Sequence, residues 1–296
     1  MRVALFAAGG EIATHALRTL VRDHEVVAVI RPAPPSGLSA LARTFARRLL
    51  RGPRPPDEVT RLATELGLAE WRLPAREDAT LAARLAATVD LAVIATYPRV
   101  LPATIIGAPC LGSVNLHGSL LPRHRGPNPW FWIYHANDRE AGVTAHMCEP
   151  RVDRGAVLAR AAWPLARGLP VETLHRAVAE RGAALLPELL AALERDDATP
   201  RPQDESLATK APRLSPGARM LDHTWPAERT WHFLAGLVSQ YREPLQCGGR
   251  PVVYRRVSAF ETGRTLGAPG TVDAEAGAAR WRLWCVDGFV RLEGDA

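Results

Sequence analysis

Residues 3–30 read VALFAAGGEIATHALRTLVRDHEVVAVI, and this stretch decides the fold. Val3–Ala7 is apolar and β-prone, a helix-like stretch follows Gly9-Gly10, and Glu25–Ile30 has the composition of a second strand. A strand, a helix and a strand in this order predict two parallel strands joined by a right-handed crossover. The glycine pair does not complete the G-x-G-x-x-G signature of a dinucleotide site, and a tight turn into a helix accounts for it equally well.

The same alternation continues along the chain. Leu91–Thr96 is apolar throughout, which is typical of a central parallel strand that is buried on both faces. Further strands are predicted near Trp71–Leu73 and at Ser113–Leu116, Gly142–Cys148 and Ala156–Ala161, and helices near Asp57–Leu66 and at Ala79–Val89, Pro127–Asn137 and Glu172–Leu193. The fold class predicted from this pattern is α/β, with a Rossmann-like, mostly parallel sheet.

A second, smaller domain is predicted at the C-terminus, since 296 residues exceed what one minimal core needs. Residues 199–216 hold four prolines among polar residues and are interpreted as a linker. Beyond them a helix at Ala227–Val238 leads into short segments that are typical of a small β-rich, OB-like domain. These segments are Pro251–Val257, Gly270–Val272, Arg280–Cys285 and Gly288–Leu292. The expected organisation is a large domain at 1–198, a linker at 199–216 and a small domain at 217–296.

The chain is basic, with a formal net charge of +6. Positive charge favours anionic ligands such as phosphates or RNA. Lys210 is the only lysine, so a general preference for arginine explains the charge as well as a nucleic-acid surface does. Leu38–Leu50 combines leucines at helical spacing with several arginines. It is either a helix that contacts an anionic acceptor or a surface helix with a solvated arginine face.

Several classes of protein are disfavoured by composition. The four cysteines form no C-x-x-C pair, so neither a disulfide framework nor a zinc site is expected. The N-terminus lacks the pattern of a signal peptide. No apolar run approaches the roughly 18 residues of a membrane-spanning helix. We therefore expect a cytoplasmic protein without a membrane partner and without a bound metal.

Chemistry-bearing residues concentrate between Gly112 and Gly155. Asn115 and His117 lie two residues apart on a predicted strand, so their side chains share one face. They stand at the carboxyl end of the strand, where open α/β folds place their ligands. Asp153 lies in a predicted turn between two strands. An amide, an imidazole and a carboxylate that meet in one crevice form a candidate catalytic group.

This set of residues suits acyl transfer to an amine. His117 can accept the proton of the attacking amine because the pKa of histidine lies near neutrality. Asn115 or His117 can donate to the developing oxyanion, and Asp153 can orient the imidazole or relay the proton through water. From these residues alone, a structural role for the Asn-x-His pair is also open. His124, His135 and His146 have spacings that do not match a metal-ligand set, and they are interpreted as surface or core histidines.

The ordered string NLHGSLLPRHRG at residues 115–126, followed by GVT at 142–144 and DRG at 153–155, resembles the folate-dependent formyltransferase family. That family includes methionyl-tRNA, glycinamide ribonucleotide and sugar-nucleotide N-formyltransferases. The resemblance covers the N-terminal two thirds clearly and continues more faintly beyond 199–216, where LDHTWPA at 221–227 is similar to the junction with the C-terminal domain of the methionyl-tRNA enzymes.

The resemblance implies an activity and a set of residues. It places Asn115, His117 and Asp153 at the family's catalytic positions and implies N10-formyltetrahydrofolate as the co-substrate. Arg125 is expected to anchor the loop that follows His117. The folate contacts that the resemblance implies are Ser119, Leu120, Leu121, Pro122, Tyr97 and Glu149. Tyr97 can equally be a packing residue at the end of its strand.

The acceptor is less well indicated. The sequence departs from the methionyl-tRNA formyltransferase pattern after the first strand, where residues 6–11 read FAAGGE, and again at SQYREPL, residues 239–245. These departures favour a small amine, such as an amino-sugar nucleotide or a biosynthetic intermediate. The alternative acceptor is methionyl-tRNA. More distant alternatives are a hydrolase that releases formate from the same donor, and a binding module without activity.

Overall fold

A computed structural model of the chain describes residues 1–34, 56–74, 78–263, 266–275 and 279–295. The basic segment Leu38–Leu50 lies outside the described residues. Contacts divide the described chain into two compact units. Unit 1 comprises 1–125, 142–161 and 175–209, and unit 2 comprises 126–141, 162–174 and 210–296.

The strands and helices of the first two thirds of the chain alternate as the sequence predicts. The strands are β1 (Arg2–Ala7), β2 (Glu25–Pro32), β3 (Ala69–Leu73), β4 (Leu91–Ala95), β5 (Ser113–His117), β6 (Glu140–Met147) and β7 (Val157–Pro164). The helices are α1 (Glu11–Asp23), α2 (Glu58–Glu65), α3 (Ala79–Thr88), α4 (Ala103–Ile106), α5 (Pro129–His135) and α6 (Val171–Glu194).

These seven strands form one sheet in the order β3-β2-β1-β4-β5-β6-β7. β3, β2, β1, β4 and β5 pair in parallel, and β6 pairs antiparallel with β5. The prediction of a Rossmann-like, mostly parallel sheet is confirmed. The carboxyl ends of β1, β4 and β5 lie at the same edge, and the Thr96 hydroxyl after β4 donates to the Gly9 carbonyl after β1 at 2.5 Å.

The sheet is buried because its central strands are apolar on both faces. All five residues of β4 are buried, as are five of the six residues of β1. Phe6, Leu85 and Ile105 have no exposed surface and belong to one core cluster. Asp57 and Asp78 begin α2 and α3, since each carboxylate accepts a backbone N–H of the first turn, from Thr60 and Leu81. α4 was not predicted, because one turn is too short to show a helical period.

The C-terminal part of unit 2 is rich in β-structure, as predicted. After helix α7 (Ala227–Leu237) come β8 (Gln246–Cys247), β9 (Arg250–Pro251), β10 (Arg256–Thr262), β11 (Val272–Ala274), β12 (Arg280–Cys285) and β13 (Gly288–Glu293). The last four form an antiparallel sheet in the order β10-β13-β12-β11. β8 and β9 form a two-stranded ribbon.

Two local predictions are corrected here. Pro251–Val257 is not one strand, because the buried side chain of Tyr254 turns inward and its hydroxyl accepts the N–H of Glu243 at 2.8 Å. The strand predicted at Gly270–Val272 lies instead at Val272–Ala274. Gly270 cannot belong to it, because its φ of 84° lies outside the range of a β-strand. Helix α5, with the aromatic sequence PWFWIYH, contributes to the core of unit 2, since Phe131 is buried against Phe233.

The segment 199–216 has little regular structure apart from a 3₁₀ turn at Glu205–Leu207. Its residues 201–209 nevertheless belong to unit 1, and Arg201 exchanges two backbone hydrogen bonds of 2.8 Å with Val157. The prolines of this segment coincide with a lack of helices and strands, while the backbone of residues 201–209 is hydrogen-bonded to unit 1. Among the described residues, no helix combines the length and the apolar character needed to cross a membrane.

The core cluster yields a stability prediction. Leu85→Ala should lower the free energy of unfolding by about 2–5 kcal/mol, because the side chain is fully buried and its removal leaves a cavity. Urea unfolding followed by circular dichroism measures the change. Leu66→Ala is the matched control, as Leu66 is 45% exposed and should cost well under 1 kcal/mol. Equal losses in the two variants would show that Leu85 does not lie in the core.

Candidate active site

Strand β5 presents Asn115 and His117 on one face at the carboxyl edge of the parallel strands. Its neighbour β6 is antiparallel, with His146 opposite Asn115 and Thr144 opposite His117. The pairing register therefore places an asparagine and two histidines in adjacent positions on the same face of the sheet. His117 and His146 are buried, with their ring centroids 6.4 Å apart.

Asp153 reaches this face from the loop between β6 and β7. The Oδ2 atom of Asp153 lies 3.6 Å from Nδ1 of His117, and Oδ1 lies 3.7 Å from Nε2 of His146. The loop is closely folded, since a Cβ on Gly155 would stand 1.8 Å from the Met147 carbonyl oxygen. Only glycine fits there. The structure thus brings together the three residues that the sequence selects, Asn115, His117 and Asp153, and adds His146.

The tautomer of His117 follows from its backbone partner. Nε2 lies 2.9 Å from the carbonyl oxygen of His124, and a carbonyl can only accept, so Nε2 carries a proton. In the neutral ring Nδ1 is then unprotonated and faces Asp153. Nδ1 is therefore the nitrogen that can take up a proton, and the adjacent carboxylate would stabilise the imidazolium so formed.

Two opposing effects set the protonation of His117. Burial lowers its pKa below the ordinary value of 6.5, and the charge of Asp153 acts in the opposite direction. Burial prevails, so the ring is mainly neutral at pH 7 and is available as a base. Burial also raises the pKa of the Cys148 thiol to about 12, with Asp153 adding to the shift, so this cysteine remains protonated.

His146 orients Asn115. Nδ1 of His146 lies 2.8 Å from the Met147 carbonyl and must donate, which leaves Nε2 as an acceptor for the Asn115 Nδ2–H at 3.1 Å. The amide nitrogen of Asn115 is thereby directed at His146. Among the described residues its second N–H and its oxygen make no further hydrogen bond, so both are open to a ligand. Sequence reasoning missed His146, and the signal that could have found it is its position opposite Asn115 on the antiparallel neighbour strand.

The loop after His117 is held from within unit 1. The Ser119 hydroxyl donates to the Arg123 carbonyl at 2.7 Å, which commits it to the loop. Thr144 bridges the loop, donating to the Ser119 carbonyl at 2.7 Å and accepting the N–H of Leu121 at 3.1 Å. Ser119, Leu121 and Pro122 are buried, whereas Leu120 is partly exposed. Of the four predicted folate contacts in this loop, Leu120 has the side chain that is most open to a ligand.

Tyr97 is the predicted folate contact with the clearest unmet polar group. Its ring packs edge-on against Phe6 at 5.6 Å, and its hydroxyl is buried without a hydrogen-bond partner among the described residues. Burial raises the pKa of Tyr97 to about 12, so the hydroxyl stays a donor. A buried phenol without a partner suits a polar ligand at this edge of the sheet. Glu149 is partly exposed and lies near Arg151 at 3.6 Å.

Within the described ranges, no group of three or more His, Cys, Asp or Glu side chains is arranged to hold a metal ion. The clustered groups of the site are an amide, two imidazoles and a carboxylate. These are the groups required for proton transfer and for hydrogen bonding to a developing oxyanion.

Comparison with known proteins defines the class. A family model described as "Formyl transferase" matches residues 1–190, well over half of the chain. The chain therefore belongs to the formyl transferase family, as the motif at 115–126 predicts. It is a folate-dependent one-carbon transferase, and N10-formyltetrahydrofolate is the formyl donor of this family.

Two of the most similar relatives are both named methionyl-tRNA formyltransferase. The methionyl-tRNA formyltransferase of Methylobacillus flagellatus is 36% identical over 222 residues, 74% of this chain and 68% of the relative. That of Trichlorobacter lovleyi is 31% identical over 274 residues, 91% of this chain and 82% of the relative. The alignments with two further relatives, both from Synechococcus, cover only 54% of the length of the relative.

A similar solved structure holds a sugar nucleotide. The N-formyltransferase from Helicobacter canadensis, solved with folinic acid and dTDP-3-aminofucose, superposes with a TM-score of 0.72. The match covers 99% of each chain at 14% sequence identity. Identity this low shows a shared fold, and a shared fold does not by itself specify the acceptor.

The geometry around His117 gives a testable pKa. Asp153→Asn should lower the pKa of His117 further, because it removes the charge that opposes the effect of burial. Histidine NMR titration, with the resonance assigned from a His117→Asn sample, measures the shift without any substrate. Asp197→Asn, an exposed site, is the control and should leave the titration unchanged. A rise in the His117 pKa on Asp153→Asn would contradict the geometry.

Proposed function

We propose that this protein transfers a formyl group from N10-formyltetrahydrofolate to the α-amino group of methionyl-tRNA. The observation that supports methionyl-tRNA as the acceptor is sequence similarity that extends beyond the motif at 115–126. The Trichlorobacter lovleyi relative aligns over 274 residues, so the alignment reaches well beyond the 190 residues of the family model. This supports the alternative acceptor of the sequence analysis over the small amine.

The charge of the C-terminal region is compatible with an RNA acceptor. Residues 210–296 contain 12 Arg and Lys against 9 Asp and Glu, so they supply about half of the net charge of +6. Positive charge supports association with phosphate backbones, and such association weakens as salt rises. The predicted departure at residues 6–11 concerns the loop after β1 and leaves the catalytic residues intact.

The chemical roles follow from the site. His117 accepts the proton of the attacking amine at Nδ1, while its Nε2–H stays bound to the His124 carbonyl. Asp153, whose side chain is 12% exposed, then balances the imidazolium charge at 3.6 Å. Asn115 donates its remaining N–H to the formyl oxygen as negative charge develops there. One C–N bond to the formyl carbon forms, the bond to the donor nitrogen breaks, and the proton leaves with the folate product.

Residues for the donor belong to the same proposal. The buried hydroxyl of Tyr97 can form a hydrogen bond with the donor, and the partly exposed side chain of Leu120 can provide an apolar contact from the loop after β5. Glu149 and the backbone of Ser119, Leu121 and Pro122 complete the proposed contacts. The donor supplies an activated formyl group, and these residues would hold it beside Asn115 and His117.

An acceptor assay tests the substrate. Release of tetrahydrofolate from N10-formyltetrahydrofolate should depend on charged methionyl-tRNA, and the KM for the tRNA should rise steeply between about 50 and 200 mM salt. Uncharged tRNA is the control, because it has the same phosphates without the reacting amine. Turnover only with an amino-sugar nucleotide would replace tRNA by a small amine. Release without any acceptor would indicate a hydrolase.

The catalytic role of His117 has its own test. His117→Ala should lower kcat about 10²–10⁴-fold, the range expected when a general base is removed. His223→Ala is the control, since His223 is exposed in unit 2 and should keep full activity. Thermal unfolding of both variants shows whether the fold is retained. Unchanged formyl transfer in a folded His117→Ala protein would remove His117 from the mechanism.

A further inference from the structure

Residues 201–209, here called the strap, contact both loops that carry the site. Arg201 pairs with Val157 through two backbone hydrogen bonds. At the other end, Thr209 accepts the N–H of Arg125 at 2.9 Å through its carbonyl, and its hydroxyl accepts the N–H of His124 at 2.8 Å. The strap thus runs from the strand after Asp153 to the loop after His117.

Gln203 lies near the middle of the strap, and both the nitrogen and the oxygen of its side-chain amide form hydrogen bonds. Nε2 donates to the carbonyl of Asp153 at 2.9 Å and to the carbonyl of Gly155 at 2.8 Å. Oε1 accepts from Arg125, from Nε at 3.0 Å and from Nη2 at 2.7 Å. One side chain therefore joins the loop of Asp153 to the loop of His117.

Arg125 fixes the other side of Gln203. Its side chain is 8% exposed and also makes a two-point contact with Glu205, Nη1 to Oε2 at 2.9 Å and Nη2 to Oε1 at 2.8 Å. Such forked pairing holds a guanidinium in one orientation. Because Arg125 is held in this way, the amide of Gln203 is oriented with its nitrogen towards the loop of Asp153.

The backbone of Asp153 needs such support. Its φ is 53°, in the left-handed region that residues other than glycine adopt only rarely. Residues in this region persist when surrounding contacts determine their conformation. Gln203 supplies two of those contacts, one on Asp153 itself and one two residues later. The carboxylate of Asp153, 3.6 Å from His117, depends on this backbone for its position.

We propose that Gln203 is a positioning residue for catalysis, which holds the backbone of Asp153 so that its carboxylate faces His117 and His146. Gln203 touches no reacting atom in this assignment and acts through Asp153. The inference rests on the catalytic roles of His117 and Asp153 in the proposed function. It does not depend on which amine accepts the formyl group.

Two substitutions separate the two ends of the amide. Gln203→Met removes both the N–H donors and the oxygen that accepts from Arg125, with no change of charge and little change of length. Gln203→Glu keeps an oxygen for Arg125 but offers no N–H to the carbonyls of Asp153 and Gly155. Asp204→Asn is the control on the same strap, because Asp204 is exposed and caps only Ser206.

Three measurements distinguish positioning from a structural role. In Gln203→Met, kcat should fall about 10- to 100-fold with KM for both substrates nearly unchanged, since a displacement of about 1 Å in a catalytic group has this effect. The pKa of His117, read by NMR without substrate, should fall because the Asp153 charge moves away. Gln203→Glu should also lose kcat, and Asp204→Asn should match the wild type in all three readouts, including Tm.

Two results would overturn the proposal. One is a folded Gln203→Met protein with kcat within about threefold of wild type and an unchanged His117 titration. The other is wild-type kcat in Gln203→Glu, which would mean that Gln203 serves only as a partner for Arg125. If the wild type itself shows no turnover with methionyl-tRNA, the His117 titration still reports on Gln203, so the two proposals can fail separately.

Discussion

The site depends on one buried carboxylate set between two imidazoles. Asp153 faces His117 and His146 at 3.6 and 3.7 Å, with 12% of its side chain exposed. A carboxylate in this position lowers the cost of placing a proton on a ring nitrogen that faces it, and it does so only when the rings are held in place. Carbonyl groups hold both rings, that of His124 for His117 and that of Met147 for His146. The pairing of β5 with β6, the tight loop at Gly155 and the strap all serve this arrangement.

The competition between burial and charge at His117 explains why the arrangement is useful. Burial alone would make protonation of the ring costly, and a base that cannot be protonated cannot accept a proton. The negative charge of Asp153 lowers that cost at the nitrogen that faces it. In this buried position, the proposed uptake of a proton by His117 depends on the charge of Asp153, and therefore on where that carboxylate is held.

Much of the fold could be predicted from the sequence because its signals are local. Apolar strands such as Leu91–Ala95 and the β-α-β opening show their character within a few residues. Asn115 and His117 could be selected because their spacing on a strand places them on one face. Asp153 could be selected because it begins the DRG motif at residues 153–155. Each of these inferences uses residues that are close in sequence or a pattern that is shared within a family.

The rest of the site arises from contacts between distant residues. His146 and Gln203 lie 31 and 88 residues from Asn115, and nothing in their neighbouring sequence shows what they contact. The partner of His117 is a backbone carbonyl, which carries no side-chain signature at all. The prolines at 200 and 202 predict a break in regular structure, and the break is present, yet residues 201–209 are hydrogen-bonded to unit 1 at both ends. A proline-rich composition therefore predicts that helices and strands are absent from a segment, but it does not predict whether that segment packs against the rest of the protein.

Formyl transfer and acceptor choice are separable properties of this fold. The groups proposed to handle the proton and the oxyanion lie on β5, on β6 and in two loops of unit 1. A relative that is named for methionyl-tRNA and a solved structure with a bound amino-sugar nucleotide can therefore share the architecture. The identity of the acceptor has to be encoded outside the catalytic group. For this reason similarity over the C-terminal residues counts for more in assigning the acceptor than the motif at 115–126, which is the stronger signal for the reaction.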